Sequence, residues 1–131
     1  FDSIYEPLAY DAVRNGAELI AISTNDSWFN DSSAVYEHNS HSVLRAVENG
    51  RYIVRAANTG ISSVISPSGE IKDMLPPLVE GQISCDVTFS DKRTLYSEAG
   101  NIIVPFSVFV LAASSVIIRM KGKRSNDGHC C

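Results

Sequence analysis

The sequence predicts a layered α/β fold, of the α+β kind, in one modest domain. Two observations lead to this fold class. Helical and strand patterns alternate before Gly50, and short runs rich in β-branched residues follow it. The 131 residues are 44% hydrophobic and 20% charged, which is sufficient for one core of its own.

The first helix and strand are predicted from their end signals. Pro7 suits the first turn of a helix, and Gly16 would close it. The predicted inward residues of this helix are Leu8, Ala12 and Val13. The apolar run AELIAIS (17–23) then predicts a strand that is covered on both faces.

A second helix and several strands follow. Ser32 or Ser33 would cap a helix that runs to Asn49 and stops at Gly50. Its predicted inward stripe is Tyr36, Val43 and Val47. The runs RYIVRAA, ISSVIS, IKDML and GQISCDV predict strands, and SPSGE predicts a hairpin turn between the second and third of them.

The segment 99–118 contains twenty residues without a charge and is followed by four basic residues within 119–124. At the helical rise it would be about 30 Å long. A buried core helix would also explain it, but its length and basic flank favour a transmembrane helix with a cytoplasmic C-terminus. The sequence therefore predicts a body at 1–88, a linker at 89–98, a membrane span at 99–118 and a basic, disordered tail at 119–131.

Charge and cysteine usage exclude other classes. The net charge is −4, and residues 1–118 carry seven basic and fourteen acidic side chains, so no nucleic-acid partner is expected. Cys85 suits a small core position, while Cys130 and Cys131 are adjacent in the tail, so neither a metal site nor a disulfide is predicted. A start at Phe1 without an initiator Met leads us to expect a fragment of a longer protein.

Five motifs follow one another in a recognisable order. They are Asn25-Asp26-x-Trp28-Phe29, His38, Arg45-Ala46-x-Glu48, Arg55-x-x-Asn58-x-Gly60 and Tyr96-x-x-x-Gly100-Asn101. Over residues 1 to about 120 the sequence resembles the C-terminal half of the bacterial apolipoprotein N-acyltransferases, which are membrane members of the nitrilase (carbon-nitrogen hydrolase) superfamily. The resemblance implies a partial nitrilase-type α-β-β-α sandwich followed by one transmembrane helix.

The resemblance also implies a site and a reaction. Phe1 and Asp2 fall on the aromatic and acidic residues that follow the family's catalytic Cys, although the family usually has Glu where Asp2 stands. The nucleophile would then directly precede Phe1, with the catalytic Glu and Lys further upstream, and the Phe1 N–H would donate to the oxyanion. Acyl transfer would run from a phospholipid, through a Cys thioester, to the diacylglyceryl-cysteine of an apolipoprotein, without a cofactor. Residues 1–131 alone are expected to be inactive.

The remaining motif residues have two kinds of predicted role. Asn25, Asp26 and Trp28 would form a wall of the acyl site, and Asn25 or Asp26 would also hold the loop, whereas Phe29 would pack. Residue types alone would instead favour both aromatics pinning the loop into the core. The residues predicted to be structural are His38, Arg45, Glu48, Arg55, Asn58, Gly60 and Tyr96.

Two other functions remain open at this stage. One is a soluble-type nitrilase or amidase that hydrolyses small amides, which would not need segment 99–118. The other is a non-catalytic, membrane-anchored nitrilase-like domain. For the acyltransferase, the resemblance implies the bacterial cytoplasmic membrane, with the folded domain on its extracytoplasmic face.

Overall fold

The computed structural model describes residues 5–100 and 102–126. The chain divides into two units, Phe1–Gly100 and Asn101–Cys131. The first unit contains α1 (Glu6–Arg14), β1 (Leu19–Asn25), α2 (Ser33–Asn49), β2 (Tyr52–Asn58), β3 (Ser62–Ile65), β4 (Ile71–Leu75) and α3 (Leu95–Ala99). The second unit contains α4 (Ile103–Asn126).

The four strands form one sheet in the order β1-β2-β3-β4. Strands β1 and β2 are parallel and in register from Leu19 opposite Tyr52 to Asn25 opposite Asn58, with α2 as the crossover. The other two pairings are antiparallel. Since parallel strands end at the same edge, the residues that follow Asn25 and Asn58 lie side by side there. The predicted layered α/β class is confirmed.

Helix α2 covers one face of the sheet, and its predicted inward stripe is confirmed only for Val43, which packs against the core. Tyr36 and Val47 are half exposed, whereas the buried residues are Val35, Asn39, Ser42, Arg45, Ala46 and Asn49. These polar side chains are tolerated because they have partners; the Ser63 hydroxyl, for example, donates to Asn39 Oδ1 at 2.7 Å. The predicted helix end is confirmed, with Gly50 at φ 62° as its left-handed cap.

The apolar core lies between α2 and the sheet. Ala46, Ile53 and Ile65 are fully buried there, and three half-buried residues pack against them: Ile20, Ile22 and Val43. The opposite face of β1 is open, because Ala21, Ser23 and Asn25 are exposed. The prediction that this strand is covered on both faces is therefore wrong within the described residues.

Helix α1 carries Pro7 in its first turn, as the sequence predicts. Val13 is buried, but Leu8 and Ala12 are exposed, so the predicted inward stripe is wrong for these two residues. Helix α1 packs against α2 and α3. Glu6, Tyr10 and Val13, at helical spacing, turn toward these neighbours and leave the Leu8 face to solvent.

The predicted hairpin is confirmed, and the predicted strand after it is wrong. Strands β3 and β4 pair across a turn in which Ser66 N donates to Glu70 O, with Gly69 at φ 85°. Residues 81–87 form no strand, although their burial alternates as in a strand. They lie over the open face of the sheet, where Val54 and Val64 also line a cavity of about 460 Å³. Among the described residues, the sheet contains only β1 to β4, so the backbone of 81–87 has no strand pairing.

The segment predicted as one membrane span contains the end of one helix and most of another. Ala99 ends α3, and α4 begins at Ile103. Helix α4 continues through Arg119 to Asn126, where the sequence predicts a disordered tail, because Lys and Arg are good helix formers. In the described residues, no helix has both the length and the apolar character that crossing a membrane requires, so the predicted span is not found.

Candidate active site

Three loops meet at the edge where β1 and β2 end. They are the Trp28 loop (26–32), the β2–β3 turn (59–61) and the segment 76–79. Asp26 N donates to Asn58 O at 3.1 Å, and the Asn58 amide donates to Asn25 Oδ1 at 3.4 Å. Sites collect at this edge in α/β sheets, where several loops can contribute side chains.

The Asp26 carboxylate lies at the centre of this edge and is 1% exposed. Arg55 Nη2 donates to Asp26 Oδ2 at 2.8 Å, and the Thr24 hydroxyl donates to Oδ1 at 3.2 Å. His38 Nδ1 lies 3.2 Å from the same Oδ1. A buried carboxylate needs such partners, because an unpaired one would be very costly. The buried contacts hold the start of the Trp28 loop.

Arg55 is also fully buried and bridges three elements. Its Nε donates to Ile61 O at 3.2 Å, and its Nη1 donates to the Ser42 hydroxyl at 3.3 Å. Burial lowers the pKa of Arg55, and the Asp26 carboxylate opposes that change. An arginine stays protonated even so, and the pair is therefore an ion pair in the interior.

Gly60 lies directly against Asp26. A Cβ atom placed on Gly60 would lie 2.3 Å from Asp26 Oδ2 and 2.9 Å from Asp26 Cγ. Only glycine lets the β2–β3 turn approach the carboxylate so closely. This close approach gives a steric reason for the structural role that the sequence predicts for Gly60.

The two aromatics of the loop differ in their surroundings. Phe29 N donates to Asp26 O at 3.0 Å, and the Phe29 ring meets the His38 ring edge-on, with 4.9 Å between centroids. Trp28 is 86% exposed. Packing into the core therefore does not explain Trp28 in the described residues, whereas Phe29 packs inward against His38.

Phe1 and Asp2 lie outside the described residues, so their predicted roles beside the nucleophile remain predictions. Cys85 is described; its thiol donates to Asp86 O at 3.5 Å, on the open face of the sheet. Within residues 5–100 and 102–126, no group of three or more His, Cys, Asp or Glu side chains could hold a metal ion.

Arg45, Glu48 and Tyr96 belong to a separate cluster among the helices. Arg45 Nη2 lies 2.9 Å from Glu48 Oε2, and Arg45 Nη1 lies 3.7 Å from Glu6 Oε2. Burial raises the pKa of Tyr96 to about 12, and the carboxylates of Glu6 and Glu48 add to this rise. The cluster joins α1, α2 and α3, in keeping with the structural roles predicted for these residues.

Glu48 is expected to make stability depend on pH. Burial, partly offset by Arg45, raises its pKa above 4.5 in the folded protein. Its contribution to the free energy of unfolding is therefore fully present below about pH 4.5 and is lost as the pH rises through the folded pKa. Glu48→Gln should remove this decline, so the free energy of unfolding of wild type relative to the variant should fall as the pH rises above about 4.5. Glu37→Gln, at an exposed position of α2, is the control and should leave the pH profile unchanged. Denaturant unfolding at several pH values measures both, and a relative stability that rises with pH would contradict the assignment.

The sequence did not indicate several residues of this edge. Thr24 and Ser42 complete the contacts of Asp26 and Arg55, and Leu78 N donates to Thr59 O at 3.1 Å. Ser and Thr are common on any surface, so their type carries no signal. The Pro76-Pro77 pair before Leu78 was the one available sign of an unusual backbone.

A sheet covered by helices on one face, with a loop site at the ends of parallel strands, fits the carbon-nitrogen hydrolase fold. Residues 1–96 match the carbon-nitrogen hydrolase family, and the chain belongs to that family.

Proteins similar in sequence match a longer part of the chain than residues 1–96. The apolipoprotein N-acyltransferase of Geobacter metallireducens is 36% identical over 129 residues, which are 98% of this chain and 24% of that protein. The apolipoprotein N-acyltransferase of Thermotoga maritima is 34% identical over 128 residues, with 98% and 25% covered. That of Rhodopseudomonas palustris is 38% identical over 98 residues, with 75% and 18% covered. The chain thus spans a quarter or less of the length of these relatives.

Proposed function

We propose that the protein is an N-acyltransferase that moves an acyl chain from a phospholipid to the N-terminal diacylglyceryl-cysteine of an apolipoprotein. The names of its relatives support the transfer, and the family supports a cysteine nucleophile. The observation that carries the proposal is Trp28. This large apolar side chain is 86% exposed at the site edge, on a loop that a buried ion pair holds. Such a surface suits a hydrocarbon chain.

The proposed reaction has two steps. A thiolate directly before Phe1, activated by an upstream Glu and Lys, attacks the acyl ester; the C–S bond forms, the C–O bond breaks and the lysophospholipid oxygen takes a proton. The α-amino group of the acceptor then attacks the thioester; the C–N bond forms, the C–S bond breaks, the thiolate leaves and the nitrogen gives up a proton to the upstream Glu. Each step passes through an oxyanion, to which the Phe1 N–H would donate, with Asp2 close by.

The described residues would bind and orient the acyl donor. Trp28 contacts its hydrocarbon chain, and Asn25 helps to shape the loop, since its Oδ1 accepts from Ser27 N at 3.1 Å. Asp26, held by Arg55, fixes where the loop starts. A misplacement of about 1 Å in such a support can lower a rate about a hundredfold. A phospholipid donor and a lipidated acceptor place the reaction at a bacterial membrane surface, and no nucleic acid takes part.

The test compares the complete gene product with residues 1–131 alone. Incubation with acyl-labelled phospholipid should give a labelled thioester and then a labelled acceptor only with the complete product. Replacing the residue before Phe1 by Ala should abolish both. A thioester formed by residues 1–131 alone would contradict the assigned nucleophile. Hydrolysis of small amides without acyl transfer would favour the amidase function instead.

Trp28→Ala is expected to lower kcat/KM for acyl transfer about tenfold or more, because a large apolar contact with the acyl chain is lost. Trp28→Phe should keep most of the activity. Because Trp28 is so exposed, neither change should lower the free energy of unfolding by more than about 0.5 kcal/mol. Leu95→Ala is the matched control, since Leu95 is 85% exposed on α3. Equal activities of the Trp28→Ala and Leu95→Ala variants would contradict the proposed contact between Trp28 and the acyl chain.

A further inference from the structure

Backbone strain is concentrated in the three loops of the candidate site. In the part of the chain that the structure describes, the non-glycine residues with positive φ are Asn30 (47°), Thr59 (63°) and Leu78 (62°). One lies in the Trp28 loop, one in the β2–β3 turn and one in segment 76–79. Asn tolerates this region, but a branched, bulky Leu is a real outlier there. Strained residues of this kind cluster at functional sites.

Leu78 is held in its strained conformation without being used for packing. Its N–H donates to Thr59 O at 3.1 Å, and Pro76 and Pro77 restrict the chain before it. Its side chain nevertheless remains 58% exposed. Folding alone would be served better by Gly or Asn at this position, since either would relieve the strain and lose little burial.

Leu78 and Trp28 belong to one hydrogen-bonded edge. Leu78 is bound to Thr59, and the neighbouring Asn58 accepts from Asp26 N, two residues before Trp28. Gly60, next to Thr59, lies in contact with the Asp26 side chain. A short series of hydrogen bonds and contacts thus connects Leu78 with the Trp28 loop. The Asp26–Arg55 ion pair holds this series in place. The backbone segments that carry Trp28 and Leu78 are therefore held at one edge of the sheet, which a specific binding surface requires.

We propose that Leu78 is a second contact for the acyl chain and helps to determine which chain lengths are transferred. This inference rests on the function proposed above. Trp28 and Leu78 offer a hydrocarbon chain two exposed apolar surfaces, on two segments that are both hydrogen-bonded to the end of β2 and the turn after it. Val79, 53% exposed beside Leu78, extends the surface. A longer chain buries more methylene groups against these residues, so its binding depends on Leu78 more than that of a short chain.

The test uses Leu78→Asn in the complete gene product, because Asn keeps the left-handed backbone and removes the apolar surface. With a long-chain phospholipid donor, kcat/KM should fall about tenfold. With a short-chain donor it should stay within about twofold. The melting temperature should be unchanged or slightly higher. Leu44→Gln, at a half-exposed position of α2, is the control and should leave the chain-length dependence unaltered.

A binding measurement separates this inference from the reaction itself. Phospholipids brominated in the acyl chain should quench Trp28 fluorescence, measured as the difference from Trp28→Phe, and Leu78→Asn should weaken the apparent affinity about tenfold. Quenching that depends on Leu78, without any transfer, would support the acyl contact and overturn the proposed reaction. Transfer with the same chain-length dependence in wild type and Leu78→Asn would overturn the contact and leave the reaction standing. A melting temperature lowered by several degrees would also overturn it, because Leu78 would then be a packing residue covered by another part of the protein.

Discussion

Arg55→Met is expected to lower the free energy of unfolding by about 3–5 kcal/mol, as is typical when one partner of a buried ion pair is removed. Arg55 is 1% exposed and makes the 2.8 Å contact with Asp26 Oδ2. Met fills a similar volume but leaves a carboxylate without its cation in the interior. The Ile61 carbonyl and the Ser42 hydroxyl lose a donor as well. Denaturant unfolding of wild type and variant measures the loss.

The double variant Asp26→Asn/Arg55→Met separates charge from shape. Once the carboxylate is neutral, the uncompensated charge is gone, so the double variant should be more stable than Arg55→Met alone. Arg55→Lys is the second comparison; it keeps the charge but not the three-way guanidinium contacts, and it should fall between wild type and Arg55→Met. A loss below about 1 kcal/mol for Arg55→Met would mean that the pair does not hold the loop.

The order of the main helices and strands could be predicted because it depends on the pattern of apolar residues and on the residues that end helices and form turns. The run AELIAIS, the helix stop at Gly50 and the Gly-containing turn near residue 69 each leave a local signal in the chain. Together they place the residues after β1 at a sheet edge. The order of motifs around Asn25, Asp26 and Trp28 then predicted that the loop after β1 forms part of the site.

The inner surface of α2 could not be predicted by the same means. An amphipathic pattern places apolar residues inside, yet Asn39 and Ser42 are buried and Tyr36 is not. Such burial is possible only because partners come from far along the chain, with Ser63 for Asn39 and Arg55 for Ser42. A pattern confined to one helix does not contain those partners.

The structure of the segment after β4 could not be predicted from the sequence for a different reason. Ile83, Cys85 and Val87 alternate as in a strand, and this alternation correctly indicates which side chains turn inward. Strand formation also requires a neighbouring edge, which is a property of the whole sheet. The strained backbone of Leu78 likewise depends on its bond to Thr59, nineteen residues away along the chain.

Gly60→Ala is expected to destabilise the protein by about 1–3 kcal/mol, the range for overpacking in a well-packed interior, and to impair acyl transfer. The new methyl group would lie 2.3 Å from Asp26 Oδ2 and 2.9 Å from Asp26 Cβ, so the carboxylate must move. Moving it weakens the contact with Arg55 and shifts the start of the Trp28 loop. Unfolding measurements and acyl-transfer rates together record both effects.

Gly81→Ala is the matched control for Gly60→Ala. Neither glycine has a positive φ, so a left-handed backbone does not distinguish the two substitutions, which differ in burial and in what the added methyl group meets. At Gly81 the nearest atom is Leu75 Cδ2 at 3.1 Å, the end of a side chain that can rotate away. Its loss should stay within about 0.5 kcal/mol, and acyl transfer should be retained. Equal losses at both positions would contradict the inference that the close approach to Asp26 requires glycine at position 60.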